Sequence, residues 1–138
     1  MAALTITASQ VIAGADADFY QGLAGETITA GKSCYLDELT NRIRLADANG
    51  SLETAEVKGI ALNAASNGQA LRLQTGGTIT LGAGAAPVLS TIYIVGATAG
   101  DIAPAADLGS GWYTSVLGVG GASNTLKMKI HNSHSQKA

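Results

Sequence analysis

The chain has one cysteine, two prolines, six aromatic residues and no long apolar run. A single cysteine excludes an intrachain disulfide, so packing has to hold the fold. Cys34 lies in Ser33-Cys34-Tyr35-Leu36, a strand-like run with no histidine or basic cluster beside it. It reads as a small core residue and not as a reactive thiol. No segment approaches the ~20 apolar residues that span a bilayer, so no membrane contact is expected. The opening MAALTITASQVIAG lacks a basic n-region and is not read as a secretion signal.

Charge is also scarce. Charged residues make up 13% of the chain, the net charge is −2, and lysines and arginines are scattered. Without a basic stripe, nucleic acid is not an expected partner. The only histidines, His131 and His134, sit in the polar HNSHSQKA segment at the end. That placement excludes a Ser-His-Asp or Cys-His centre in the body of the protein. The segment has no helix signal and no third ligand to complete a metal site.

The remaining chemical motifs fail on spacing. GETITAGK, residues 25–32, has five residues between its glycine and its Gly-Lys pair. A phosphate-binding loop has about four, with a helix following. Asp47-Ala48-Asn49-Gly50 is a fragment of a calcium loop without the other ligands and reads as turn chemistry. Asp16-Ala17-Asp18 reads as solvated turn acids. Asp37/Glu38 and Glu53/Glu56 lack the sugar platform that glycoside chemistry needs. The chain is therefore expected to be neither an enzyme nor a holder of a metal or cofactor.

What is present is small and β-forming. Of the 46% apolar residues, 25 are alanine, whereas Leu, Ile, Val and Phe total 31. The core should be thin, and thin cores often lean on subunit contacts, so an oligomer is expected. Residues 1–24 read as an extended N-terminal arm or edge strand, residues 25–131 as a β domain, and residues 132–138 as a polar tail. Ser51 reads as the cap of one helical turn over SLETAE. The central unit is Val57–Leu81, read as three short strands. Ile60, Leu62, Leu71, Leu73, Ile79 and Leu81 point inward, and Gly76-Gly77 forms a hairpin turn. Gly59 suggests a bulge or a close backbone approach. Thr91–Val95 is the most apolar strand and should be central. The fold class is all-β: a small antiparallel β-barrel or β-sandwich of roughly eight to ten short strands.

Five segments occur in order: GETITAGKSCYLDELTNRIRLADANG, VKGIALNAASNGQ, TGGTITLGAG, YIVGATAGDIAPAADLGSG and LGVGGASNTLKMKI. Together they span Gly25 to Ile130, about three quarters of the chain. In this order they resemble the small decoration, or cement, proteins of tailed-bacteriophage heads. The resemblance rests on Gly, Ala and turn patterns, not on catalytic signatures. It implies a β-rich virion protein, made in the host cytoplasm, that binds the outer surface of the capsid and clamps neighbouring subunits. It also implies the major capsid protein as partner, a homotrimer, and capsid contacts from an N-terminal arm. On this chain those contacts would fall on Leu4, Thr5, Ile6, Thr7, Val11 and Ile12. The alternatives are a head-fibre or tail-fibre base domain and a carbohydrate-binding β module. The last would need Phe19, Tyr20, Trp112 and Tyr113 exposed, although core or interface packing is their ordinary use.

Overall fold

A computed structural model describes residues 3–137. Ten strands form one antiparallel sheet that curls into a half-barrel. The strands are β1 (Ile12–Ala13), β2 (Asp18–Leu23), β3 (Ser33–Asp37), β4 (Arg42–Leu45) and β5 (Val57–Ala61). They continue with β6 (Ala70–Thr80), β7 (Ile92–Val95), β8 (Ile102–Pro104), β9 (Tyr113–Gly120) and β10 (Thr125–Gln136). The order across the sheet is β4-β3-β5-β6-β10-β9-β7-β8, with β1 and β2 also on β6. The one α-helical turn, α1 (Leu52–Ala55), starts where Ser51 places it. Thr54 N–H donates to Ser51 Oγ at 3.3 Å, and Ser51 N–H donates to Thr54 Oγ1 at 2.8 Å, a reciprocal cap.

The longest departure from the sequence reading is β6. Gly76-Gly77 does not close a hairpin; the strand runs on through both. Gly76 and Gly77 pair instead with Lys129 and Met128 of β10. The left-handed backbone at Gly77, φ +81°, serves a bend inside a strand. A Cβ at that position would run into the backbone of Asp16 and Ala17. Against β2 the pairing moves from Asp18–Gly76 to Phe19–Gln74, which leaves Thr75 as an extra residue, a β-bulge. A bulge shifts the period-2 alternation by one residue. Leu71 and Leu73 therefore enter one core cluster while Ile79 and Leu81, at the same parity, enter another.

Two cores follow from that switch. The smaller gathers Ile28, Cys34, Ile43, Ala61, Leu71 and Leu73. The larger holds Tyr35, Val57, Ile60, Ile79, Tyr93 and Leu126 among others. Strands β3 and β5 form the wall between them: Cys34 and Ala61 belong to one cluster, their neighbours Tyr35 and Ile60 to the other. This is why successive residues of β3 and β5 are buried, where a strand with one wet face would alternate. Gly59 makes the close approach expected of it, packing against the Gln74 carbonyl. Ile94 and its neighbours are buried, yet β7 is not central; it lies second from one end of the sheet. Curling, and not position in the sheet, covers it.

The ends of the half-barrel are stitched by main-chain bonds. Ser33 N–H donates to Gly100 O at 3.0 Å, Gly100 N–H to Ala46 O at 2.7 Å, and Ala48 N–H to Gly96 O at 3.0 Å. Over this seam lies the N-terminal segment, read from the sequence as an extended arm or edge strand; its first residues do not extend away from the body but pack on it. Leu4 N–H donates to Ile102 O at 2.8 Å, and Leu4, Ile6 and Val11 pack on the larger core. Gly31, without a side chain, leaves the space that Ile6 and Val11 fill. Apolar residues with a hydrophobic surface in reach bury themselves. Asp18–Leu23 is likewise a full strand on β6. The polar tail expected from residue 132 is also mostly strand: β10 pairs with β9 as far as Gln136–Tyr113. Main-chain bonds form that ladder, so its polar side chains gave no strand signal.

Candidate functional site

Two features are open to a partner: a groove and an apolar loop. The groove lies where β5 and β10 part. Both pair with the same side of β6, β5 at Leu73–Gln74 and β10 at Gly76–Thr80. Beyond the fork their main chains cannot reach each other, and a side chain fills in. Asn132 Nδ2 donates to Val57 O at 3.1 Å, and Val57 N–H donates to Asn132 Oδ1 at 3.0 Å. The amide thus imitates one rung of a ladder. Buried Gln74 sits at the same fork, its Nε2 donating to Gly76 O at 3.0 Å and Thr78 O at 2.9 Å.

The groove has a volume of about 600 Å³. The start of β2 brings Phe19 and Tyr20 to one wall, and the end of β3 brings Leu36 and Glu38. Across from them, α1 and its C-terminal cap present Glu53 and Glu56, and β5 presents Lys58. Each aromatic ring already carries a cation of this chain. Lys58 Nζ lies 4.8 Å from the Tyr20 ring centroid, and the Arg72 guanidinium lies 4.7 Å from that of Phe19.

The second feature is the segment from Gly82 to Thr91. Residues 73–100 carry no charged side chain at all. Within them Val88 is 50% exposed, Leu89 65% and Ile92 50%. Two non-glycine residues flank the Val-Leu pair with left-handed backbones, Ala86 at φ +43° and Ser90 at φ +66°. Two main-chain bonds and one to a side chain hold these conformations: Ala86 N–H to Gly82 O at 3.1 Å, Ser90 N–H to Gly120 O at 2.9 Å, and Val88 N–H to the Tyr93 hydroxyl at 2.8 Å. The fold spends strain to point two apolar side chains at solvent, an arrangement that clusters at binding surfaces.

The residues singled out from sequence separate into different places. Of the six expected contacts, Leu4, Ile6 and Val11 pack inward, whereas Thr5, Thr7 and Ile12 are exposed. Ile12 and Phe19 rim a shallow crease beside Leu62 and Arg72. Trp112 lies half-buried against the larger core, and Gly109 backs onto its indole. Cys34 is buried, as read, and desolvation pushes its thiol far above the usual range. His131 and His134 project from β10, where His134 meets an acid, Glu56, at 3.7 Å. Asp16 is more than a solvated turn acid. It accepts the Thr78 N–H at 2.9 Å, and that bond holds its carboxyl below the ordinary value. The loop escaped sequence reasoning because Pro87 and the glycines mark a turn without saying which side chains it exposes. The groove escaped it because six separate elements build it.

A comparison with protein-family models, curated proteins and solved structures finds no match for the chain.

Proposed function

We propose that this protein is a structural component of a phage virion that binds the outer surface of the major capsid protein lattice and stabilises it, acting as a homotrimer. Two lines support the reading. The sequence resemblance spans Gly25 to Ile130. The observation that carries it structurally is the uncharged, hydrogen-bonded loop that leaves Val88 and Leu89 exposed beside Ile92. A lattice-binding protein needs no deep pocket, because many modest contacts repeated over a shell add up through avidity. Charge depletion at the centre of a patch is what protein interfaces show.

Placing the contact on this loop revises the N-terminal assignment. Leu4, Ile6 and Val11 serve the protein's own core, which leaves Thr5, Thr7 and Ile12 for a secondary contact at most. The carbohydrate alternative is disfavoured by the rings it would need. Phe19 and Tyr20 each have a face covered by a cation, and Trp112 is half-buried.

Co-sedimentation with expanded shells of the major capsid protein tests the proposal. Wild-type protein should pellet with shells at saturable stoichiometry. Leu89→Lys should lower the affinity at least tenfold, the loss of ~1.4 kcal/mol of contact at each site. Leu89 is exposed, so the variant should keep the wild-type unfolding midpoint. Wild-type protein that stays in the supernatant at micromolar concentration would end the capsid reading.

A further inference from the structure

The groove lined by β2, β5 and β10 shares no residue with the Gly82–Thr91 loop. Its rim is unevenly charged. Glu38, Glu53 and Glu56 face a single cation, Lys58, which lies over Tyr20. Among the described residues Glu38 and Glu53 have no ion-pair partner, and Glu56 has only His134 at 3.7 Å. Between these carboxylates the wall is formed by Ile130 and by half-exposed Phe19, one face of whose ring carries Arg72.

A second, independent feature belongs to the strand that supplies Phe19 and Tyr20 to the groove. Strand β2 bonds to β6 on one side. On its other side, among the described residues, the chain meets a strand only at the single parallel bridge between Ala24 and Ile43. Before that bridge, main-chain groups at the Phe19 end of β2 face no strand, and an unpaired edge is satisfied by an added strand. Edge, apolar wall and anionic rim together call for an extended chain with apolar and cationic side chains in alternation. The complementarity is electrostatic as well as geometric.

We infer that this groove takes an extended, Lys- or Arg-bearing peptide segment of a partner protein. The inference rests on the capsid reading only for the source of that segment, the shell protein; its chemistry stands without it. The cation of the segment sits among Glu38, Glu53 and Glu56, its apolar neighbours lie on Phe19 and Ile130, and its main chain runs along the start of β2.

The test uses the isolated full-length protein and a capped Val-Lys-Val-Lys-Val peptide, followed by two-dimensional amide NMR. The expected result is a saturable set of shifts confined to the start of β2, to α1 and to Asn132. The capped Val-Glu-Val-Glu-Val peptide should leave those signals unmoved. Glu53→Gln combined with Glu56→Gln should raise the dissociation constant about fivefold, the scale of two exposed charge contacts. Both glutamates are exposed, and an unchanged unfolding midpoint confirms that the variant folds. No shifts at millimolar peptide, equal binding of the acidic peptide, shifts scattered over every acidic residue, or shifts produced by a neutral oligosaccharide in place of the peptide would each overturn the inference. Because no shell is present, a failure here leaves the capsid reading standing, and failed co-sedimentation leaves this inference standing.

Discussion

At the scale of single residues, the fold depends on a few groups that hold the main chain where strands part or bend. Asn132 is one. Its amide satisfies both the N–H and the C=O of Val57. Asn132→Ala would leave two partly buried main-chain groups unpaired, at a cost of about 2 kcal/mol. Urea unfolding measures this as a lower midpoint with an unchanged slope, whereas an unchanged midpoint would mean that water replaces the amide at no cost. Asp16 is another, tying the chain before β2 to Thr78 beyond the bend. Its carboxyl is held below the ordinary 3.8, first by the Thr78 N–H. A depressed folded-state value gives stability that is present above the unfolded value and lost as pH falls through the folded one. Asp16→Asn should therefore flatten the decline in stability below about pH 4. An identical acid limb in wild type and variant would contradict the latch. Residue-scale features differ in how far they could be read beforehand. Cys34 as a core residue and Gly59 as a close approach follow from residue type. Asp16 does not, because its partner is 62 positions away.

At the scale of elements, β6 decides the architecture. Gly76-Gly77 between two alternating runs reads as a hairpin by local rules, and the inward set Leu71, Leu73, Ile79 and Leu81 was legible in the sequence. The division of that set between two cores was not, because the Thr75 bulge appears only in the pairing with β2. The long-range partner β10 overrides the local turn preference. Gly77→Val combines a disfavoured φ with a clash against the backbone of Asp16, and should cost about 3 kcal/mol. If Gly77 lay in a hairpin turn, Asp16 and Met128 would be untouched by the change. NMR of a milder Gly77→Ala variant should instead show perturbation at both. The N-terminal segment behaves as a strap. Removing residues 1–7 takes Leu4 and Ile6 off the larger core, a loss of about 2–3 kcal/mol for two partly buried side chains. A truncated protein as stable as the full chain would restore the picture of an extended arm. By contrast, α1 was readable in place, because Ser51 and Thr54 lie within one turn of each other and the cap is local.

At the scale of the whole molecule, the sequence supports an all-β fold through alternation and turn residues, and the curled ten-stranded sheet agrees with it. The surface was harder to read. Exposure of Val88 and Leu89 depends on loop conformation, and the groove depends on six elements converging. Both features lie on the β body, and the proposed contacts are assigned to them in place of the N-terminal residues. A homotrimer on a shell also requires association between copies. Sedimentation equilibrium should return three times the 13.8 kDa chain mass when the protein is bound or concentrated, and a monomer throughout would remove the trimer from the proposal. The capsid reading itself is tested most directly by reconstructing expanded shells with and without the protein. The account predicts added density on the outer surface with the Ala86–Ile92 loop facing the capsid protein. Shells with no added density, or with the protein attached by a face that leaves this loop in solvent, would contradict it.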